Sequence, residues 1–111
     1  MPQKSSRDKI VDQIVNLVSP IAVNLFGSAA RGESANDLDF LIIIPDRKAH
    51  LVRQLAHQLY KKVDRFGIPC DFIVLSKEKY LECSQDYSSV VSAAAKEGRW
   101  LHGSEPVQVI S

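Results

Sequence analysis

Three aspartates in two short apolar stretches carry the strongest chemical signal in this 111-residue chain. Asp37 and Asp39 flank Leu38 just before Phe40-Leu41-Ile42-Ile43-Ile44, and Asp71 stands at the head of Phe72-Ile73-Val74-Leu75. In a strand, residues i and i+2 share a face, so Asp37 and Asp39 project the same way from Cα positions about 6.6 Å apart. An ionised carboxylate beside such an apolar run is costly to bury without a partner, which calls for a compensating cation. A ligand set made of oxygen alone favours magnesium, with manganese as the alternative. Two carboxylates plus a third from a neighbouring strand can bracket two divalent ions roughly 3.5 to 4 Å apart. Such a pair of ions can activate an attacking oxygen and stabilise a leaving one.

A polar loop upstream offers the other half of such a site. Gly27 and Ser28 follow the apolar run Ala22 to Phe26. They read either as a plain hairpin turn or as a phosphate cradle, in which the Ser28 hydroxyl and adjacent amides hold an anion. The second reading suits the aspartates better. Arg31 is either a phosphate contact or an exposed loop arginine.

Positioning these residues requires strands at fixed places. Ala22 to Phe26 and Leu38 to Ile44 predict two strands joined by a short loop, hence antiparallel, the second uniformly apolar and therefore central. Cys70 to Leu75 predicts a third. A helix between the second and third strands implies a parallel crossover, which brings Asp71 level with Asp39 and leaves Gly27-Ser28 at the same end of the sheet.

Around them, Ile10, Ile14, Leu17 and Val18 predict a first helix capped by Ser6 and stopped by Pro20. A long second helix is expected over 47–65, capped by Asp46 and ended by Gly67. Short helices are expected over 77–83 and 87–97, the latter with Val90, Val91 and Ala94 inward and Gly98 at its end, and then a last strand near 99–103. The expected fold class is α/β: a small mixed sheet of three to four strands, with flanking helices mainly on one face.

The order Gly-Ser, Ala30-Arg31-Gly32-Glu33, Asp37-x-Asp39 and a third Asp on a later strand resembles the nucleotidyltransferases of the DNA polymerase beta superfamily. Size and the ending Lys96-Glu97-Gly98-Arg99-Trp100-Leu101 are similar to the minimal nucleotidyltransferases, which act as antitoxins to HEPN-domain ribonuclease toxins. The resemblance spans about Ile10 to Gly103. It implies one nucleotidyltransferase domain over 6–103 with a tail over 104–111, ATP as substrate, and AMP transfer to a hydroxyl of a HEPN toxin, a tyrosine being the expected acceptor. It implies that Asp37, Asp39 and Asp71 are catalytic metal ligands, with Asp71 helping to deprotonate the acceptor, and that Gly27, Ser28 and Arg31 bind the nucleotide. Eight residues separate Ser28 from Asp37, a couple fewer than in most relatives, and Asn36 stands where a serine is common.

Composition narrows the alternatives. A net charge of +1 argues against a direct nucleic-acid binder working by phosphate neutralisation. Cys70 and Cys83 fit neither a metal-ligand spacing nor a disulfide framework and read as reduced thiols. No signal-peptide layout and no apolar run of roughly 18 residues is present, so a cytoplasmic protein without membrane contact is expected. A chain this short has no room for a second substrate domain, so a large acceptor must be presented by a partner or a homo- or hetero-oligomer surface. His50 and His57 lie about 10 Å apart along a helix, too far to share a metal. Two rivals remain: an antitoxin that acts by contact alone, motivated by the short Ser28 to Asp37 loop, and a small-molecule nucleotidyltransferase, disfavoured because no added helical domain follows.

Overall fold

The structure, a computed structural model, describes residues 4–27 and 37–107. The chain runs α1 (Ser6–Val18), β1 (Ala22–Phe26), β2 (Leu38–Ile44), a 3-10 segment (Asp46–Leu51), α2 (Val52–Lys62), β3 (Cys70–Ser76), α3 (Lys77–Ser84), α4 (Val90–Glu97) and β4 (Arg99–His102). The four strands form one sheet in the order β3-β2-β1-β4. β1 is antiparallel to β2 and to β4, and β2 is parallel to β3. The α/β mixed sheet expected from the sequence is therefore present, with β2 internal.

Helices cover both faces of the sheet, where the sequence pointed mainly to one. The reason lies in β2. Phe40, Leu41, Ile42, Ile43 and Ile44 are all fully buried, and alternate residues of a strand face opposite ways. Phe40, Ile42 and Ile44 join Ile10, Ile14 and Val18 of α1 and Leu55 and Leu59 of α2 in one core, while Leu41 and Ile43 join Tyr80 of α3 and Val91 and Ala94 of α4 in another. A strand that is apolar on both faces needs cover on both. No helix among the described residues is long and apolar enough to cross a membrane.

Several boundaries shift for identifiable reasons. Ser5, not Ser6, caps α1, because its hydroxyl reaches the Asp8 N–H three residues on. The expected long second helix begins as the 3-10 segment, since Asp46 does not cap it: its Oδ1 accepts from the Glu78 N–H at 2.8 Å, helping to satisfy the start of α3 instead. The helix stops at Lys62, before Gly67. There the Gln13 side chain pairs with the backbone of Asp64 in both directions, at 2.9 and 2.7 Å, drawing the chain out of helix while Val63 is buried. In α4, Ser89 caps the first turn through the Ser92 N–H, and Val90 stays out of the core, 57% exposed, whereas Val91 and Ala94 face the core as expected. After β4, Tyr80 Oη of α3 donates to Glu105 Oε1 at 3.3 Å and Pro106 is buried.

β3 lies at the edge of the sheet, and an unpaired edge invites strand addition. Tyr60 blunts it. Its hydroxyl accepts from the Phe72 N–H at 2.9 Å while its ring meets Phe72 edge-on. Tyr60→Phe keeps the ring and removes the acceptor, so a loss of about 1 kcal/mol is expected in urea denaturation, with faster hydrogen exchange at the Phe72 amide. Unchanged exchange there would mean water already serves that amide.

Candidate active site

Register brings Asp39, Asp71 and Gly27 to one end of the sheet. Asp39 pairs with Asp71 across the parallel β2–β3 ladder and with Phe26 across the antiparallel β1–β2 ladder. Gly27, one residue beyond Phe26, therefore backs onto Asp39. Strand alternation puts Asp39, Leu41 and Ile43 on one face and Asp71, Ile73 and Leu75 beside them, the face covered by α3 and α4.

Gly27 is there for a steric reason. Its φ is +79°, in the left-handed region, and a Cβ built on it would lie 2.6 Å from Asp39 Oδ2. Only the absence of a side chain lets the end of β1 approach that carboxylate so closely.

Electrostatics single out Asp39. Its pKa is raised, first by burial, then by the charge of Asp71 and a hydrogen bond with it, and last by the charge of Asp37. Two carboxylates held together favour one shared proton or an external cation. No Lys or Arg among the described residues forms an ion pair with any of the three aspartates. Burial also pushes the Cys70 thiol up, Arg65 opposes this, and Asp71 and Asp39 reinforce it. A buried thiol of that kind is a poor nucleophile.

The convergence is unequal. Asp39 and Asp71 meet, whereas Asp37 acts on Asp39 through charge and is exposed, standing just before the first residue of β2. Among the described residues no three His, Cys, Asp or Glu side chains form a ready metal-ligating group. The acidic oxygen donors and the adjacent Asp39 and Asp71 nonetheless fit a hard divalent cation. Ser28 and Arg31 lie outside the described residues.

One residue passed over in the sequence positions this end of the sheet. Asn24 is fully buried in β1, and its Nδ2 donates to the Ala94 carbonyl of α4 at 3.3 Å. A Cβ at Gly98 would overlap Asn24 Oδ1 and the Ala94 carbonyl, so that glycine lets α4 close onto β1. The available signal was a lone amide in an otherwise apolar strand.

A family model for the nucleotidyltransferase domain matches residues 7–101. The chain belongs to this family. The match contains every strand aspartate and both crossover strands, so the site just described lies inside the nucleotidyltransferase domain. Among solved structures, this nucleotidyltransferase is similar to a chain in a mutant form of the toxin-antitoxin MntA-HpeT, with a TM-score of 0.51 and 18% identity over 93% of this chain and 76% of that one. It is also similar to a chain in a toxin-antitoxin with AMP-PNP, with a TM-score of 0.45 and 17% identity over 88% of this chain and 74% of that one. At 18% identity the likeness to the first of these concerns the fold. No curated protein matches the chain.

Proposed function

We propose that this nucleotidyltransferase moves AMP from ATP to a hydroxyl of a partner protein, a tyrosine of a HEPN toxin, and thereby acts as its antitoxin. The observation that carries the chemistry is the Asp39–Asp71 pair, with Asp39 against Gly27 and no Lys or Arg ion-paired to either carboxylate among the described residues. Asp37, Asp39 and Asp71 would hold magnesium, or manganese, which when bound neutralises the triphosphate and acidifies the acceptor hydroxyl. Gly27 and Ser28 would receive the β- and γ-phosphates through backbone amides and the serine hydroxyl, with Arg31 as a further phosphate contact. The acceptor oxygen attacks the α-phosphorus, the new P–O bond forms as the bond to pyrophosphate breaks, and Asp71 takes the hydroxyl proton.

The toxin partner is supported by the family resemblance and by the fold likeness to a chain of a toxin-antitoxin complex. The test is intact-mass measurement of a candidate HEPN partner protein after incubation with this chain, ATP and magnesium. An AMP-sized increment on a tyrosine is expected. The eight-residue spacing between Ser28 and Asp37 favours a second reading, an antitoxin that works by contact alone. Suppression of the toxin without any mass increment would establish that reading in place of the first.

A further inference from the structure

A cleft opens between the end of β1 and α4, beside the carboxylates. It is lined by Phe26, Gly27, Val90, Ala93, Ala94 and Glu97 and encloses about 120 Å³. We propose that it receives the heterocyclic base of the nucleoside triphosphate; this rests on the nucleotidyltransferase reading above and adds the position of the base to it.

Continuity with the carboxylate site comes first. Gly27 lines the cleft and also backs onto Asp39 Oδ2, so a ligand with its phosphates at the aspartates reaches the cleft across a single residue. Charge comes second. Among the described residues no Lys or Arg lines the cleft, which suits this wall to the uncharged end of a nucleotide rather than to a phosphate. Its walls are the Phe26 ring and the apolar side chains of Val90, Ala93 and Ala94, and a flat aromatic base buries well against such surfaces. Size comes third. Whole ligands of drug size occupy clefts of roughly 300–1,000 Å³, so this opening suits one ring system and is too small for a peptide segment.

Helical geometry builds the wall. Val90, Ala93, Ala94 and Glu97 follow the i, i+3, i+4, i+7 spacing of one helix stripe. That stripe faces β1, yet Val90 remains 57% exposed and Ala93 is exposed, because the space opposite them is the cleft. The Asn24 bond to the Ala94 carbonyl holds the stripe in place, so the cleft is part of the fold.

The test compares magnesium-ATP with magnesium-tripolyphosphate, which has the phosphates without the base, by calorimetric titration of the full chain. Ala93→Phe fills the cleft from an exposed helix position. It is expected to weaken ATP about tenfold or more while leaving tripolyphosphate within about twofold. Val90→Asp, which puts a charge on the cleft's apolar rim at another exposed position, is expected to show the same selective loss and serves if Ala93→Phe does not fold. Equal loss of both ligands, no loss of either, or a native chain that binds tripolyphosphate as tightly as ATP would overturn the base cleft alone. A native chain that binds neither ligand would overturn the nucleotidyltransferase reading along with it.

Discussion

Asp39→Asn is expected to lower nucleotidyl transfer by about a thousandfold while making the metal-free chain more resistant to heat at neutral pH. The first effect follows from the residue's place. Asp39 is level with Asp71, against Gly27, and is the carboxylate with the raised pKa. In the proposed metal role, losing Asp39 as one ligand of a divalent ion that stabilises several kcal/mol of transition-state charge corresponds to about three factors of ten. Labelled AMP transfer to the proposed toxin partner, with Asp37→Asn alongside, measures it. Full activity in Asp39→Asn would remove the metal role from this carboxylate.

The second effect has the opposite sign and a pH window. Burial, then Asp71, then Asp37 raise the Asp39 pKa, so the folded chain holds the Asp39 proton more tightly than the unfolded chain does. The associated stability is fully present below the ordinary aspartate pKa and is lost as pH rises through the raised value. Asparagine never ionises and escapes that loss. With a chelator present, native and Asp39→Asn melting temperatures should coincide in acid and separate in favour of the variant as pH rises through this window. The separation is modest because Asp39 is partly solvated. Added magnesium should raise the melting temperature of the native chain by mass action and reverse the order. Parallel curves for the two proteins would mean that Asp71 does not press on Asp39.

Gly27→Ala is expected to reduce transfer about a hundredfold, the cost of displacing a catalytic group by about 1 Å. The new methyl would lie 2.6 Å from Asp39 Oδ2, so the carboxylate must move. The left-handed φ of +79° adds about 1–2 kcal/mol of backbone strain to the folding free energy. Gly67 separates the two causes, since its φ is +78° with nothing within 4 Å of an added Cβ. Gly67→Ala should therefore lose comparable stability in urea denaturation and retain transfer. If both variants lose transfer equally, backbone strain alone is responsible and the contact with Asp39 is not needed.

Residues close in the chain determined much of this protein by themselves. The strand-helix-strand passage made β2 and β3 parallel, which sufficed to bring Asp71 level with Asp39. The short connection made β1 and β2 antiparallel and left Gly27 at the same end. These patterns repeat within a few residues and obey handedness rules that need no knowledge of what packs where. Tertiary structure decided the rest. Asp46 serves α3 through Glu78, 32 positions away, and Gln13 ends α2 through Asp64, 51 positions away, so no local pattern could place those boundaries. The second helical layer was implicit in the unbroken apolar run of β2, but which helices supplied it depended on the packing of α3 and α4. Distance, too, came from packing. The sequence named three aspartates as equals, whereas the ladder fixes Asp39 and Asp71 in contact and leaves Asp37 at the strand's entrance, because backbone pairing constrains a side chain only where the ladder has begun.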